Sequence, residues 1–232
     1  MSIQHLESDA HRMYATLLEG GVVLAQTLTG YGLVAMKPDA VRRIYELKGR
    51  PSEKPCVTVG SLPVLDDVAL GIDACTRRWL AGAVSRWPMA LVTRLNPRSR
   101  LLWSFDSFML GQCTKAGTVA TFYGVGPLIA RVAQLARADG KLVVGSSANL
   151  AGTGNNYAFE AVPGSIHVGV DLAFDYGPAP YSSGQRLAST ILDLTTGGFL
   201  RRGACFADIQ RSWSGFQAEG RRAPVPLGAH VQ

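Results

Sequence analysis

Apolar residues recur at helical spacing near the start of the chain and again past its middle. The first stretch ends at Gly20-Gly21 and the second at Gly140, and glycine is typical just after a helix. We therefore predict two amphipathic helices, whose apolar positions are, in the first, Leu6, Ala10, Met13 and Leu17, and, in the second (residues 127–138), Leu128, Val132, Leu135 and Ala136.

Short apolar runs between polar, Gly-rich or Pro-rich segments predict strands. They cover residues 22–25, 55–59, 89–93, 118–123, 141–144, 165–170, 189–194 and 199–201, whereas residues 40–47, 66–70 and 73–84 favour helices. Residues 26–33 are polar and Gly-rich and predict a loop, and the chain from about Ala218 predicts a loose tail. The alternation of helices and strands predicts an α/β domain with a mixed sheet.

The length and charge of the chain narrow the function only slightly. Its 232 residues suit one large domain or a domain with a short appendage, and its formal net charge of +6 favours anions. A nucleotide, tRNA or no anionic partner at all remain open. No apolar targeting segment or membrane-length run is seen, so we expect a soluble, cytoplasmic protein.

The cysteines and histidines do not predict a metal site. Cys56, Cys75, Cys113 and Cys205 are widely spaced, with no CxxC pair, and the four histidines lie in no motif. We expect buried free thiols.

Three segments combine small, polar or basic residues with the end of a predicted element. Lys48-Gly49-Arg50-Pro51, followed by Lys54-Pro55, forms a basic turn that suits a triphosphate, although a solvated helix end would have the same composition. The segment Gly145–Gly152 places hydroxyls and an amide after a buried strand, as a phosphate cradle or an ordinary turn. Thr27 and Thr29 would share one face if extended.

Together these segments resemble the YrdC/YciO family of threonylcarbamoyl-adenylate synthases. The family's Lys-x-Arg motif is matched by Lys48 and Arg50, and its Ser-x-Asn motif by Ser147 and Asn149. The run from Ile44 to Pro55 is very close to the family pattern, and 189–193 and 200–204 resemble its last two strands. The resemblance covers residues 12–206. It implies a YrdC-like catalytic domain at 1–206, with 207–232 as a C-terminal extension or tail.

The resemblance also implies a fold, a reaction and a set of residues. The fold is a single twisted sheet of parallel and antiparallel strands, flanked by helices, with a concave basic groove. The reaction joins threonine, bicarbonate and ATP into threonylcarbamoyl-AMP and pyrophosphate, for threonylcarbamoylation of adenosine 37 of tRNA. Magnesium would bind largely through phosphates and water. Direct binding of tRNA or double-stranded RNA stays open.

By position, the family's roles fall on ten residues. Lys48 and Arg50 would be catalytic and would hold ATP together with Ser147 and Asn149, while Ser189 and Arg201 would help bind the nucleotide. The substrate-binding residues would be Thr27, Thr29, Tyr31 and Ser146.

Some positions depart from the family pattern. Phe122 stands where the family usually has an arginine, Ala90 where it has a threonine, Gln26 where it has a proline and Gly30 where it has a valine. Lys115 or Arg94 could supply the missing cation. These departures leave two alternatives: adenylation of another carbamate or carboxylate in a specialised pathway, and a non-catalytic RNA- or nucleotide-binding protein.

Overall fold

The strands and helices of the chain alternate as its hydrophobic pattern predicts. The computed structural model describes residues 3–51 and 54–222. The strands are β1 (Val23–Thr27), β2 (Gly30–Ala35), β3 (Val57–Val59), β4 (Ala69–Leu70), β5 (Met89–Leu95), β6 (Thr114–Lys115), β7 (Thr118–Tyr123), β8 (Val143–Ser147), β9 (Leu172–Phe174), β10 (Thr190–Asp193) and β11 (Gly198–Arg201). The helices are α1 (Ile3–Glu19), α2 (Pro38–Lys48), α3 (Leu62–Val68), α4 (Ala74–Arg86), α5 (Ser107–Cys113), α6 (Pro127–Ala138), α7 (Gly164–Gly169) and α8 (Phe206–Arg222).

All the described strands belong to one mixed sheet. Its order is β11-β10-β5-β7-β3-β8-β2-β1-β9, with β4 added to β5 and β6 added to β7. The pairs β1–β9, β5–β10 and β3–β7 are parallel, and the remaining pairs are antiparallel. The predicted α/β fold with a mixed sheet flanked by helices is confirmed.

Helices cover both faces of the sheet, because alternate residues of each strand point to opposite sides. On β1, Val23 packs with α1 and α6 on one face, whereas Leu24 packs with α2 and α5 on the other. A third cluster joins α4 and α8 to β5 and β10.

Several local predictions are wrong. The predicted loop at 26–33 is mostly strand: residues 26–27 end β1, residues 30–33 begin β2, and only 28–29 form the hairpin turn, which the positive φ of Gly30 (128°) allows. The predicted strand at 165–170 is the helix α7, because the apolar alternation there reflects a single buried residue, Ile166, just after Pro163.

The predicted tail also starts too early. Helix α8 extends to Arg222, and Ile209 and Trp213 of this helix are buried against α4. Residues 223–232 of the predicted tail lie outside the described residues. Within the described part, no helix has the length and apolarity that crossing a bilayer requires.

The cysteines partly follow the prediction. All four are free, and Cys56 and Cys113 are buried as expected. Cys75 is exposed, because it lies in the first turn of α4 and faces away from the core, and Cys205 is only partly buried.

Gly203 allows close backbone packing where β10 begins. A Cβ built on it would lie 2.6 Å from the carbonyl carbon of Ser189 and still closer to the carbonyl oxygen of Ala188. We expect Gly203→Ala to lower the free energy of unfolding by about 2 kcal/mol, since backbone atoms must shift. Urea denaturation measures this loss. Gly215→Ala is the matched control, because its Cβ meets nothing within 4 Å and alanine favours the helix. Equal loss in both variants would contradict the packing argument.

Candidate active site

A cavity of about 620 Å³ lies beside the sheet, and Ile129 of α6 is among its lining residues. Its walls come from segments far apart in the chain, including β2, β3, β7, β8, β10 and β11. Eight of the ten predicted site residues lie on its lining, and the other two, Lys48 and Asn149, do not. The basic side chains of the lining are Arg50, Lys54, Lys115 and Arg201, and its hydroxyl groups include those of Thr27, Thr29, Ser146, Ser147 and Ser189.

Arg50 is held against the cavity by the turn that ends α2. Gly49 adopts a left-handed conformation (φ 53°) and reverses the chain. The Arg50 guanidinium then donates hydrogen bonds to the carbonyl oxygens of Lys54 (3.2 Å) and Pro55 (2.7 Å). It also lies over the Tyr45 ring, 5.9 Å from its centroid. These contacts orient the Arg50 guanidinium without a bound ligand.

Arg201 lines the cavity from β11, the strand at one edge of the sheet. Its Nε donates to the carbonyl oxygen of Ser189 (2.8 Å) and its Nη2 to the Ser189 hydroxyl (3.0 Å). Loss of water around the guanidinium, followed by the charge of Arg50, lowers the pKa of Arg201. The two positive charges repel each other, so an anion bound near both guanidinium groups would be stabilised.

Few acidic groups line the cavity. Asp193 is the one carboxylate among the described lining residues, and its Oδ1 already accepts hydrogen bonds from the backbone N–H and hydroxyl of Thr195. The positive charge of Arg50, Lys54, Lys115 and Arg201 thus exceeds the negative charge in the lining. Within residues 3–51 and 54–222, no three His, Cys, Asp or Glu side chains cluster as metal ligands would.

Lys48 and Asn149 lie beneath the cavity and outside its lining. Lys48 is 1% exposed, and its Nζ donates to the carbonyl oxygen of Ser147 and to the carbonyl (2.8 Å) and side-chain oxygens (3.2 Å) of Asn149. Burial, followed by the charge of Arg50, lowers the pKa of Lys48 to about 8. This lysine ties the end of α2 to the segment that carries Ser147, whose own Oγ contacts the Asn149 side chain.

The threonine hairpin forms another wall. Thr27 donates its hydroxyl to the carbonyl oxygen of Gly30 (2.6 Å) and accepts from the backbone N–H of Thr29 (3.2 Å), so its hydroxyl is used within the turn. Both threonines line the cavity. A Cβ on Gly30 would lie 2.8 Å from the carbonyl oxygen of Asn156, which explains a glycine at this position.

The other two predicted substrate-binding residues differ in what they offer. Tyr31 lines the cavity, but its hydroxyl lies 2.7 Å from Asp175 Oδ1 and 2.8 Å from the carbonyl oxygen of Gly177. Burial, with the Asp175 carboxylate, raises the pKa of Tyr31. Its hydroxyl is therefore part of the protein framework, whereas Ser146 presents its side chain at the lining.

The inner wall of the cavity is apolar where the family pattern has polar residues. Phe122 lines the cavity and lies directly opposite Ala90 in the β5–β7 ladder, so the two departures form one cross-strand pair. Val59, Val125 and Ile129 surround this pair. Of the two cations that could replace the missing arginine, Lys115 lies in the lining and Arg94 does not.

Two lining residues were missed by the sequence analysis. Asp193 lies within the run 189–193, but the sequence does not show that it lines the cavity, because this depends on how β10 pairs with β5. Asn155 follows the Ser147 segment and supports the hairpin by donating to the carbonyl oxygen of Thr29 (2.7 Å). In the sequence, Asn155 is marked only by an Asn-Asn pair after a Gly-rich segment, and such pairs are common in ordinary loops.

Comparison with known proteins identifies the relatives of this fold. The family model Sua5_yciO_yrdC, described as "Telomere recombination", matches residues 15–203. No curated protein matches the chain in sequence. A Streptococcus mutans hypothetical protein, smu.1377c, has 18% identity and a TM-score of 0.74 over 87% of this chain and 89% of its own. Escherichia coli YciO has 17% identity and a TM-score of 0.63, over 85% and 90%.

A longer structural relative contains this fold as one part. The P. abyssi Sua5 protein, in a crystal structure with L-threonine, has 23% identity and a TM-score of 0.69. The match covers 88% of this chain and 56% of the P. abyssi chain, so the present chain spans little more than half of that relative.

Proposed function

Because the chain belongs to the Sua5/YciO/YrdC family, we propose that it uses ATP to form threonylcarbamoyl-AMP from threonine and bicarbonate, for threonylcarbamoylation of adenosine 37 of tRNA. The observation that carries the proposal is the convergence of Arg50 and Arg201 on one cavity with Lys54, Lys115 and Ser147. A triphosphate supplies the several negative charges that such a set of cations stabilises. The complex of the P. abyssi relative with L-threonine supports threonine as the first amine to test.

The chemistry proposed for the cavity is nucleotidyl transfer. The threonine amine either adds to carbon dioxide and loses a proton to water, or displaces water from bicarbonate, and in both cases gives a carbamate. A carbamate oxygen then attacks the α-phosphorus of ATP, the bond from that phosphorus to the bridging oxygen breaks, and pyrophosphate leaves with the electron pair. Arg50 and Arg201 would stabilise the charge that develops on pyrophosphate.

The cavity walls supply positioning and exclude water. A carbamate is a weak nucleophile that readily loses carbon dioxide, so it must be held against the α-phosphate in a dry site. The apolar inner wall around Phe122 provides such a surface. Among the described residues, none of the histidines lines the cavity, and the proposed reaction needs none as a general base.

Magnesium, where bound, would neutralise charge on the phosphates. The donor set suits a cation that enters on the phosphates with its waters, since the described lining offers a single carboxylate, that of Asp193.

Pyrophosphate release from ATP tests the proposal directly. With magnesium, we expect release that requires both bicarbonate and threonine, followed by mass-spectrometric detection of threonylcarbamoyl-AMP. A panel of other amines and small acids runs in parallel. Binding of ATP without release on any member of the panel would overturn the proposed reaction.

A second candidate is adenylation of another carbamate or carboxylate. The Phe122–Ala90 pair favours it, because an apolar wall stands where a carboxylate-binding arginine is expected. Release of pyrophosphate with a different amine or acid, and little with threonine, would favour this candidate over the first.

The lowered pKa of Lys48 predicts that nucleotide affinity depends on pH. Lys48 is charged below a pH of about 8 and neutral above it, and an anion near Ser147 binds better when it is charged. We therefore expect the Kd of a non-hydrolysable ATP analogue to rise about three- to tenfold as the pH passes through that value. Calorimetric titration on both sides of it measures the change. Lys48→Arg should remove the dependence, since arginine stays charged, and a persisting dependence would assign it to another group.

A further inference from the structure

A second cleft, of about 520 Å³, lies apart from the residues of the proposed active site. It is formed by the segment at 96–101, by α3 and by the end of α6. Its charged lining residues are Asp66, Asp67, Arg98, Arg100 and Arg137.

The negative charge in this cleft is already neutralised within the protein. Arg137 lies 2.6 Å from Asp67, and Arg77 lies 2.7 Å from Asp66. In the described part of the chain, the guanidinium of Arg98 has no hydrogen-bond or ion-pair partner, and that of Arg100 contacts only the Trp103 ring, at 5.8 Å. Two exposed cations are thus left to interact with a ligand.

Trp103 stands beside these arginines with 75% of its surface exposed. It does not hang from a loose loop, because Leu101 and Leu102 just before it are buried in the core. The backbone N–H of Trp103 donates to the carbonyl oxygen of Arg100 (3.1 Å) in a 3₁₀ turn. This turn therefore presents the indole beside the Arg100 guanidinium, and Arg98 lines the same cleft as Arg100.

We propose that Arg98, Arg100 and Trp103 form a binding site for single-stranded RNA. An unpaired base would stack on the exposed face of the Trp103 indole, and the adjoining phosphates would contact Arg98 and Arg100. Aromatic side chains next to cations bind single strands in this way, because every base offers a π-face beside a phosphate. The carboxylates of an acidic protein partner would use the two arginines and would leave the indole without a stacking group, whereas each nucleotide of a single strand carries a phosphate and a base together.

Fluorescence anisotropy of a labelled single-stranded 12-nucleotide RNA tests the site. We expect Trp103→Ala to raise the Kd about tenfold and Trp103→Phe to restore most of the affinity. Arg98→Ser with Arg100→Ser should weaken binding and lower the slope of log Kd against log salt by about 1.4, as expected for two lost phosphate contacts on a single strand.

The matched control removes the same charge elsewhere. Arg78 and Arg86 are exposed on α4, and their double serine variant should keep the wild-type affinity and slope. Excess ATP should not displace the RNA, since the cleft shares no lining residue with the main cavity. Wild-type binding by Trp103→Ala, equal loss in the control, or displacement by ATP would each overturn the proposal.

Discussion

Replacing Arg201 with methionine should lower kcat/KM for ATP-dependent pyrophosphate release by about 10²- to 10³-fold. Arg201 reaches the cavity from β11, is oriented by two hydrogen bonds to Ser189 and faces Arg50. Methionine keeps the length and the apolar stem but removes the charge that would stabilise departing pyrophosphate. The expected loss lies mainly in kcat, because the charge on the leaving group grows during the reaction.

Arg202→Met is the matched control for this experiment. Arg202 follows directly in the chain, is exposed, lies over the Phe206 ring at 5.1 Å and is absent from the cavity lining. Its variant carries the same change in net charge, so we expect near wild-type activity. An Arg201 variant as active as the Arg202 variant would remove Arg201 from the proposed reaction and would leave phosphate binding to the basic turn alone.

Replacing Lys48 with methionine should lower the free energy of unfolding by about 3 kcal/mol. The side chain is buried, and its three acceptors, two on Asn149 and one on Ser147, would lose their donor. Removal of the buried charge offsets part of this cost, which keeps the net loss below the sum of three hydrogen bonds. Urea denaturation with intrinsic tryptophan fluorescence measures the loss.

Lys37→Met provides the control on the same helix. Lys37 is exposed at the N-terminal end of α2, where its side chain makes no hydrogen bond that caps the helix. We expect a change within about 0.5 kcal/mol for this exposed position. If Lys48→Met keeps wild-type stability and loses nucleotide binding, Lys48 acts on the ligand directly and the tie beneath the cavity is secondary.

The sequence predicted which residues meet at the cavity better than it predicted how their side chains are directed. Arg50 and Ser147 were chosen because their motifs follow a predicted helix or strand end, Ser189 and Arg201 were chosen from the family resemblance, and all four line one cavity. Lys48 belongs to the same motif as Arg50, yet the periodicity of α2 directs it inward, so it lies under the cavity. A motif specifies residue types, whereas the direction of each side chain depends on the helix that carries it.

Residues 26–33, which carry Thr27 and Thr29, show a different limit of prediction from sequence. Their polar, Gly-rich composition predicted a loop, but β2 is buried along its length between β1 and β8. Burial on both faces removes the polar and apolar alternation that identifies a strand. Tertiary structure also decides the relation of Phe122 to Ala90. Their pairing across β5 and β7 could not be predicted without the strand order of the sheet.

Strand β11 closes one end of the sheet and pairs on one side only, with β10. A strand at such an edge separates from its neighbour at a smaller free-energy cost than a central strand such as β8. Arg201 therefore lies on an edge strand, which separates from the sheet at a smaller free-energy cost, whereas Ser147 lies on the central strand β8. Transient fraying of this edge would widen the cavity at Arg201 without unfolding of the remaining sheet, which would let a bulky anion in or out if the proposed reaction takes place there.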